Sequence, residues 1–143
     1  MRFIAALLIA LALPAQAQEA PEWFAETLLD VRQEASDAAK DGKRLVLYFW
    51  LSGCPYCKRM TETTFRDPAV VARFKAAFVP VAVNVRGDRD IVWTDGRTLS
   101  EKQLTSLLAV RGTPTLLFFD QRGAVVQRLV GYVAPEALLR SLE

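Results

Sequence analysis

The chain's two cysteines, Cys54 and Cys57, stand in the stretch LSGCPYCKRM with two residues between them. Thiols at this spacing suit a redox pair, a small structural staple, part of a metal site or a haem anchor. Redox exchange needs a thiolate, because the thiolate and not the thiol attacks a disulfide. A free cysteine titrates near about 8.5 and is mostly protonated at neutral pH. Pro55 fits the first turn of a helix, where its missing N–H costs nothing. Cys54 then lies at or just before a helix N-terminus, and Cys57 lies one turn inside. That end of a helix carries partial positive charge and unsatisfied N–H donors, both of which favour a thiolate at Cys54. Lys58 and Arg59 add positive potential if their side chains turn towards Cys54, though the helix can also carry them away from it. Cys57, deeper in the helix, is close enough to resolve a mixed disulfide. Pro55 and Tyr56 between the cysteines set the helix geometry and the balance between dithiol and disulfide. The spacing suits two-electron exchange by attack and resolution.

The other uses of the pair fit less well. A four-residue disulfide ring removes little chain entropy, about 1.9 kcal/mol against about 3 for a fifteen-residue loop. A zinc site needs four ligands, and the chain offers two thiolates and no histidine, so carboxylates or a second chain would have to complete it. Haem attachment needs CxxCH, and Lys58 stands where the histidine would be. The absence of histidine also removes Ser-His-Asp and Cys-His catalysis. No metal site is expected.

The elements that must position this pair are legible around it. With 143 residues, 52% of them hydrophobic and 24% charged, the chain is long and apolar enough for one ordinary domain with a real core. A formal charge of +2 gives no argument for nucleic acid or an acidic membrane surface. Residues 1–17 read as a secretory signal peptide. Arg2 supplies a positive start, FIAALLIALAL an apolar run, Pro14 a break, and Ala15 and Ala17 small residues for cleavage after Ala17. Eleven apolar residues are too few to span a bilayer, which needs about 20. The mature chain, 18–143, is therefore expected to be soluble, with no stable membrane insertion, in an oxidising compartment.

Residues 18–22 read as a mobile start. From Trp23, apolar residues recur at helical spacing through Phe24, Leu28, Val31, Ala35, Ala38 and Ala39, and Gly42 ends that N-terminal helix. RLVLYFWL, residues 44–51, reads as a buried central strand leading directly into the cysteines. PAVVARFKAAF reads as a further helix and FVPVAVNV as a second strand. A short hairpin is expected around Ile91–Thr94, turning at Asp95 and Gly96. Ser100 and Gln103 form a capping box at the next helix. TLLFFD and AVVQRLVGY form an antiparallel pair, and a last helix starts at Pro135. The order implies an α/β fold: a four-stranded mixed sheet with helices on both faces.

The cysteine pair after a buried strand, with RGTPT beginning 57 residues after Cys54, resembles the thioredoxin superfamily over about residues 45–142. The resemblance implies a cis peptide before Pro114, facing the cysteines, and a wall at Thr113 and Pro114 where a substrate backbone docks. Thr113 would tune substrate contact and redox potential, Trp50 would pack beside the disulfide, and Gly131 would edge the groove. Pro55 and Tyr56 complete the expected substrate surface. GCPYCKRM, TFRDPAVV, VRGTPTLLFFD and RGDRDIVWTDGRTLSEKQL resemble secreted thioredoxin-like proteins of the SoxW type, and also the C-terminal domain of the disulfide reductase DsbD. One departure stands out. Tyr48 occupies the place of the thioredoxin aspartate six residues before the first cysteine, which leaves Glu62 or water to take the proton of Cys57.

The function expected on these grounds is that of a periplasmic thiol–disulfide oxidoreductase. It would act as a reductant of disulfide-containing partner proteins, in a sulfur-oxidation or cytochrome c maturation setting. Its Cys54–Cys57 disulfide would be redox-active, no separate cofactor is expected, and a membrane electron donor of the DsbD or CcdA type would recharge it. A monomer is expected. A dithiol oxidase and a non-catalytic binding module are the alternatives.

Overall fold

The computed structural model describes residues 20–25 and 30–143. The expected signal peptide lies outside them. The first helix, α1, spans Val31–Lys40. Its cap is Asp30, whose carboxylate accepts the Gln33 N–H at 2.9 Å. The helix therefore does not begin at Trp23 as its apolar spacing suggested. Trp23 and Phe24 lie in a turn closed by the Phe24 N–H on the Pro21 carbonyl at 3.0 Å, and their rings pack edge-on at 4.7 Å. They follow helical spacing by coincidence, because each ring is carried onto the core by this turn. Nor is the start loose throughout: Ala20 and Trp23 pack against the core. At the far end, Gly42 takes φ +69° after the Asp41 cap, and the amides of Gly42 and Lys43 return to Ala39 and Ala38. A side chain at that φ would be strained.

Strand β1 (Arg44–Trp50) is the buried strand expected, and it lies between β2 (Phe78–Asn84), parallel to it, and β5 (Thr115–Phe119), antiparallel. β6 (Val125–Val130) pairs antiparallel with β5, so the sheet runs β2-β1-β5-β6. Alternation along β1 and β5 divides the core into two layers. Val46, Tyr48, Leu116 and Phe118 face one cluster with Met60, Phe65, Phe74 and Leu138. Leu45, Leu47, Phe49, Leu117 and Phe119 face the other, with Val31, Ala35, Ile91, Trp93 and Leu104. The first cluster lies under α2 (Pro55–Glu62), a 3-10 turn (Thr64–Arg66), α3 (Pro68–Ala77) and α5 (Pro135–Ser141). The second lies under α1 and α4 (Glu101–Leu107). Pro80 sits in an edge strand, where a missing N–H is tolerated, and its carbonyl is covered by the Ala25 N–H at 2.9 Å.

The expected hairpin is present as β3 (Asp90–Val92) and β4 (Thr98–Ser100), and Ser100 with Gln103 closes the capping box of α4. A carboxylate that the sequence did not single out ties this insert to the sheet. Glu101 is 1% exposed, accepts the Asn84 N–H at 2.9 Å and is paired with Arg89 at 2.5 Å. Gly87 makes room for it: a Cβ there would collide with the Glu101 carboxylate. Gly87→Ala is therefore expected to push the carboxylate off its donors and cost about 1–3 kcal/mol, the range for a buried polar group losing its partner. A urea melt with an unchanged midpoint would contradict this.

Candidate active site

β1 delivers the chain to the site, and Cys54 caps α2. Cys54 has extended backbone, and its Sγ accepts the Cys57 N–H at 3.2 Å, the place of an N-cap side chain. Pro55 occupies the first turn as expected. The two sulfurs are joined as a disulfide with Cα atoms 5.2 Å apart. Cys54 is half-buried, whereas Cys57 is 2% exposed. This asymmetry follows from the helix, because Cys57 is turned inward beside Met60.

The segment before β5 forms the opposite wall. The Thr113–Pro114 peptide is cis. The Thr113 hydroxyl donates to Cys54 Sγ at 3.3 Å, and the Thr113 carbonyl oxygen lies 3.6 Å from the same sulfur. The amide of Cys57 and the hydroxyl of Thr113 thus both point donors at Cys54 Sγ. Two donors and a helix N-terminus stabilise a thiolate at Cys54 once the disulfide opens. The carbonyl of Thr113 is placed to accept from the thiol when it is protonated. The Gly131 N–H, with φ +86°, donates to the Pro114 carbonyl at 2.7 Å and fixes the wall from behind.

The structure thus brings together Cys54, Cys57, Pro55, Thr113, Pro114 and Gly131. Tyr56 is 60% exposed and makes none of the hydrogen bonds of the site. Trp50 ends β1 half-buried and packs against the cluster beneath α2; its indole nitrogen is buried without a hydrogen-bond partner. Tyr48 is fully buried among Phe24 and Phe65, with ring centroids 5.7 and 5.1 Å away. A cavity of about 850 Å³ opens between residues 20–23 and α2. Cys54, Cys57 and Glu62 all line it, so Glu62 shares a solvent-sized space with the inner sulfur. Among the described residues no three of Cys, Asp and Glu stand close enough together to hold a metal ion.

Sequence reasoning named Arg59 only as a nearby charge and missed its seat on Tyr132. The Arg59 guanidinium lies over the Tyr132 ring, 4.2 Å from its centroid. The Thr63 hydroxyl donates to the Arg59 carbonyl at 2.7 Å and lies 3.2 Å from the Tyr132 hydroxyl. Hydrogen bonding with Thr63 first, opposed by desolvation, and then with Thr64 and the Arg59 charge, holds Tyr132 below the usual tyrosine value. The available signal was the place of Tyr132, directly after Gly131.

Comparison with known proteins agrees with this geometry. The family model described as a thioredoxin-like domain matches residues 31–143. The thiol:disulfide interchange protein DsbD of Tatumella citrea is 31% identical over 129 residues, which is 89% of this chain and 20% of that protein. The DsbD of Ralstonia nicotianae is 30% identical over 82% of this chain and 18% of its own length. The chain therefore spans about a fifth of the length of the curated relatives it matches. Among solved structures, a thioredoxin from Thermus thermophilus superposes with a TM-score of 0.59 at 29% identity, covering 77% of this chain and 78% of its own. The C-terminal domain of Neisseria meningitidis DsbD, in the oxidised form, superposes with a TM-score of 0.57 at 20% identity, covering 78% and 90%. That second likeness speaks to the fold. A helix-capping CxxC disulfide against a Thr–cis-Pro wall supports thiol–disulfide oxidoreductase chemistry, and with the match over residues 31–143 the chain belongs to the thioredoxin-like domain family.

Proposed function

We propose that this protein reduces disulfides in partner proteins through Cys54 and Cys57. One observation carries the reading: the sulfur of Cys54, a half-buried residue, caps α2 and receives donors from both the Cys57 amide and the Thr113 hydroxyl. Cys54 is the attacking residue. Its thiolate bonds to one sulfur of the partner disulfide, and the other partner sulfur leaves as a thiolate and takes a proton. Cys57, deprotonated, then attacks Cys54 Sγ. The Cys54–Cys57 disulfide forms, and the second partner sulfur leaves as a thiolate. Two electrons have passed to the partner, and a dithiol donor must return them. Glu62, on the cavity that Cys57 also lines, is the carboxylate available to take the Cys57 proton through water. Thr113, Pro114, Pro55, Tyr56 and Trp50 form the surrounding substrate surface.

The likeness to DsbD supports the reducing direction and an electron donor of the DsbD or CcdA type. It also supports a periplasmic location, reached by removal of residues 1–17 to leave a mature domain of 18–143. Among the described residues no helix is long and apolar enough to cross a membrane. The motifs that resemble SoxW-type proteins favour partners from sulfur oxidation or cytochrome c maturation. In this reading the cysteine pair is the whole redox equipment and no separate cofactor takes part.

Catalysed reduction of insulin by dithiothreitol tests the assignment. The mature domain is expected to shorten the lag before precipitation at micromolar concentration. An unchanged lag would leave a binding module that uses the Thr113–Pro114 wall to hold a partner.

A further inference from the structure

The hydrogen bonds of the site join three segments: α2 with its Cys54 cap, the turn before β5 carrying Thr113 and Pro114, and the turn after β6 carrying Gly131 and Tyr132. Around them stand four cations, Lys58, Arg59, Arg111 and Arg128, against one carboxylate, Glu62 at the end of α2.

The cations differ in what holds them. Arg128 is spent on the Leu108 carbonyl at 2.6 Å. Lys58 stands 3.9 Å from Glu62 at an exposed position, a weak pairing. Arg111 is exposed, two residues before Thr113, and has no carboxylate partner among the described residues. Arg59 also lacks a carboxylate partner, but its guanidinium is laid on the Tyr132 ring. The Tyr132 hydroxyl in turn meets Thr63, and the neighbouring Thr64 hydroxyl donates to the Val133 carbonyl at 2.6 Å. Gly131, next to Tyr132, is bonded to Pro114. Arg59 is therefore a cation fixed in place, tied by short contacts to the wall that faces Cys54. A guanidinium held by an aromatic face loses less freedom on pairing and keeps its donors for a carboxylate fork.

We propose that Arg59, seated on Tyr132, is a specificity element that selects partner polypeptides whose reducible disulfide is flanked by acidic side chains. This rests on the reductase reading and names its substrate class. An aspartate or glutamate beside the partner cysteine pairs with Arg59 while the partner sulfur meets Cys54. Arg111 adds attraction from the other wall. A basic residue in the same place meets like charge, and repulsion discriminates as effectively as attraction attracts.

The test uses two peptides with the same intramolecular disulfide, one flanked by glutamates and one by lysines, and reads the ratio of their kcat/KM values with the mature domain. The ratio is expected to favour the glutamate peptide by about tenfold at low salt and to fall towards one as salt rises. Arg59→Glu is expected to invert the preference, and Arg59→Gln to abolish most of it. Tyr132→Leu, which removes the seat and leaves the charge, is expected to reduce the ratio in part. A wild-type ratio near one, or a preference that Arg59→Glu leaves unchanged, overturns the proposal while the reductase reading stands. Turnover of neither peptide would instead overturn the reductase reading. The wild-type ratio and its salt dependence decide the matter even if a variant fails to fold.

Discussion

A Cys57→Ser variant is expected to turn the protein from a catalyst into a trap. Cys54 can still attack, but nothing resolves the mixed disulfide, so a covalent adduct with the substrate accumulates. Turnover should fall by on the order of 10³ or more, the scale seen when a nucleophile that acts as part of a unit is lost. Cys54→Ser should lose turnover to the same extent and trap nothing. Non-reducing gels and intact-mass spectrometry on both variants read the difference. The asymmetry follows from position: Cys54 is half-buried with donors from Cys57 and Thr113, whereas Cys57 is 2% exposed beneath it. An adduct on Cys54→Ser and none on Cys57→Ser would swap the roles.

Phe65→Ala is expected to cost about 3–5 kcal/mol. Phe65 is 1% exposed in the turn that follows α2, and its ring meets Trp23, Phe24, Tyr48 and Phe74 at centroid distances of 5.1 to 6.2 Å. Removing it leaves a cavity where four aromatic rings meet, and edge-on ring contacts are lost as well. Against a typical domain stability of about 5–15 kcal/mol, this is a large share. The effect reaches the site, because this cluster is the floor on which the helix carrying the cysteines rests. A urea melt should show a midpoint far below that of the parent. A loss under about 1 kcal/mol would mean that the rings close over the gap.

The features set by local chemistry were legible in the sequence. Continuous apolarity made β1 a buried strand, Pro55 placed the start of α2, Gly42 closed α1, and Ser100 with Gln103 capped α4. Two hydrophobic clusters on two faces follow from the alternation of β1 and β5. The cysteines and Thr113 were brought together by a resemblance and then by geometry, since 59 positions separate Cys54 from Thr113. Trp23 and Phe24 misled because apolar spacing does not tell a helix face from a turn that buries two rings. Glu101 was invisible because its partners Asn84 and Arg89 are distant in sequence and Gly87 matters only as missing volume. The seat of Arg59 on Tyr132 was missed for the same reason: nothing in the sequence joins the two until the fold stacks them. Tyr48 marks the opposite case. Its departure from the thioredoxin aspartate was visible at once, and the structure adds that its ring is spent on the aromatic core.

The reduction potential of the Cys54–Cys57 pair tests the central claim most directly. The protein would be equilibrated in thiol redox buffers and the oxidised fraction read by alkylation. A reductant is expected near the thioredoxin value of about −270 mV. A potential near about −120 mV, the range of a strong oxidant, would contradict the account and make the protein a donor of disulfides.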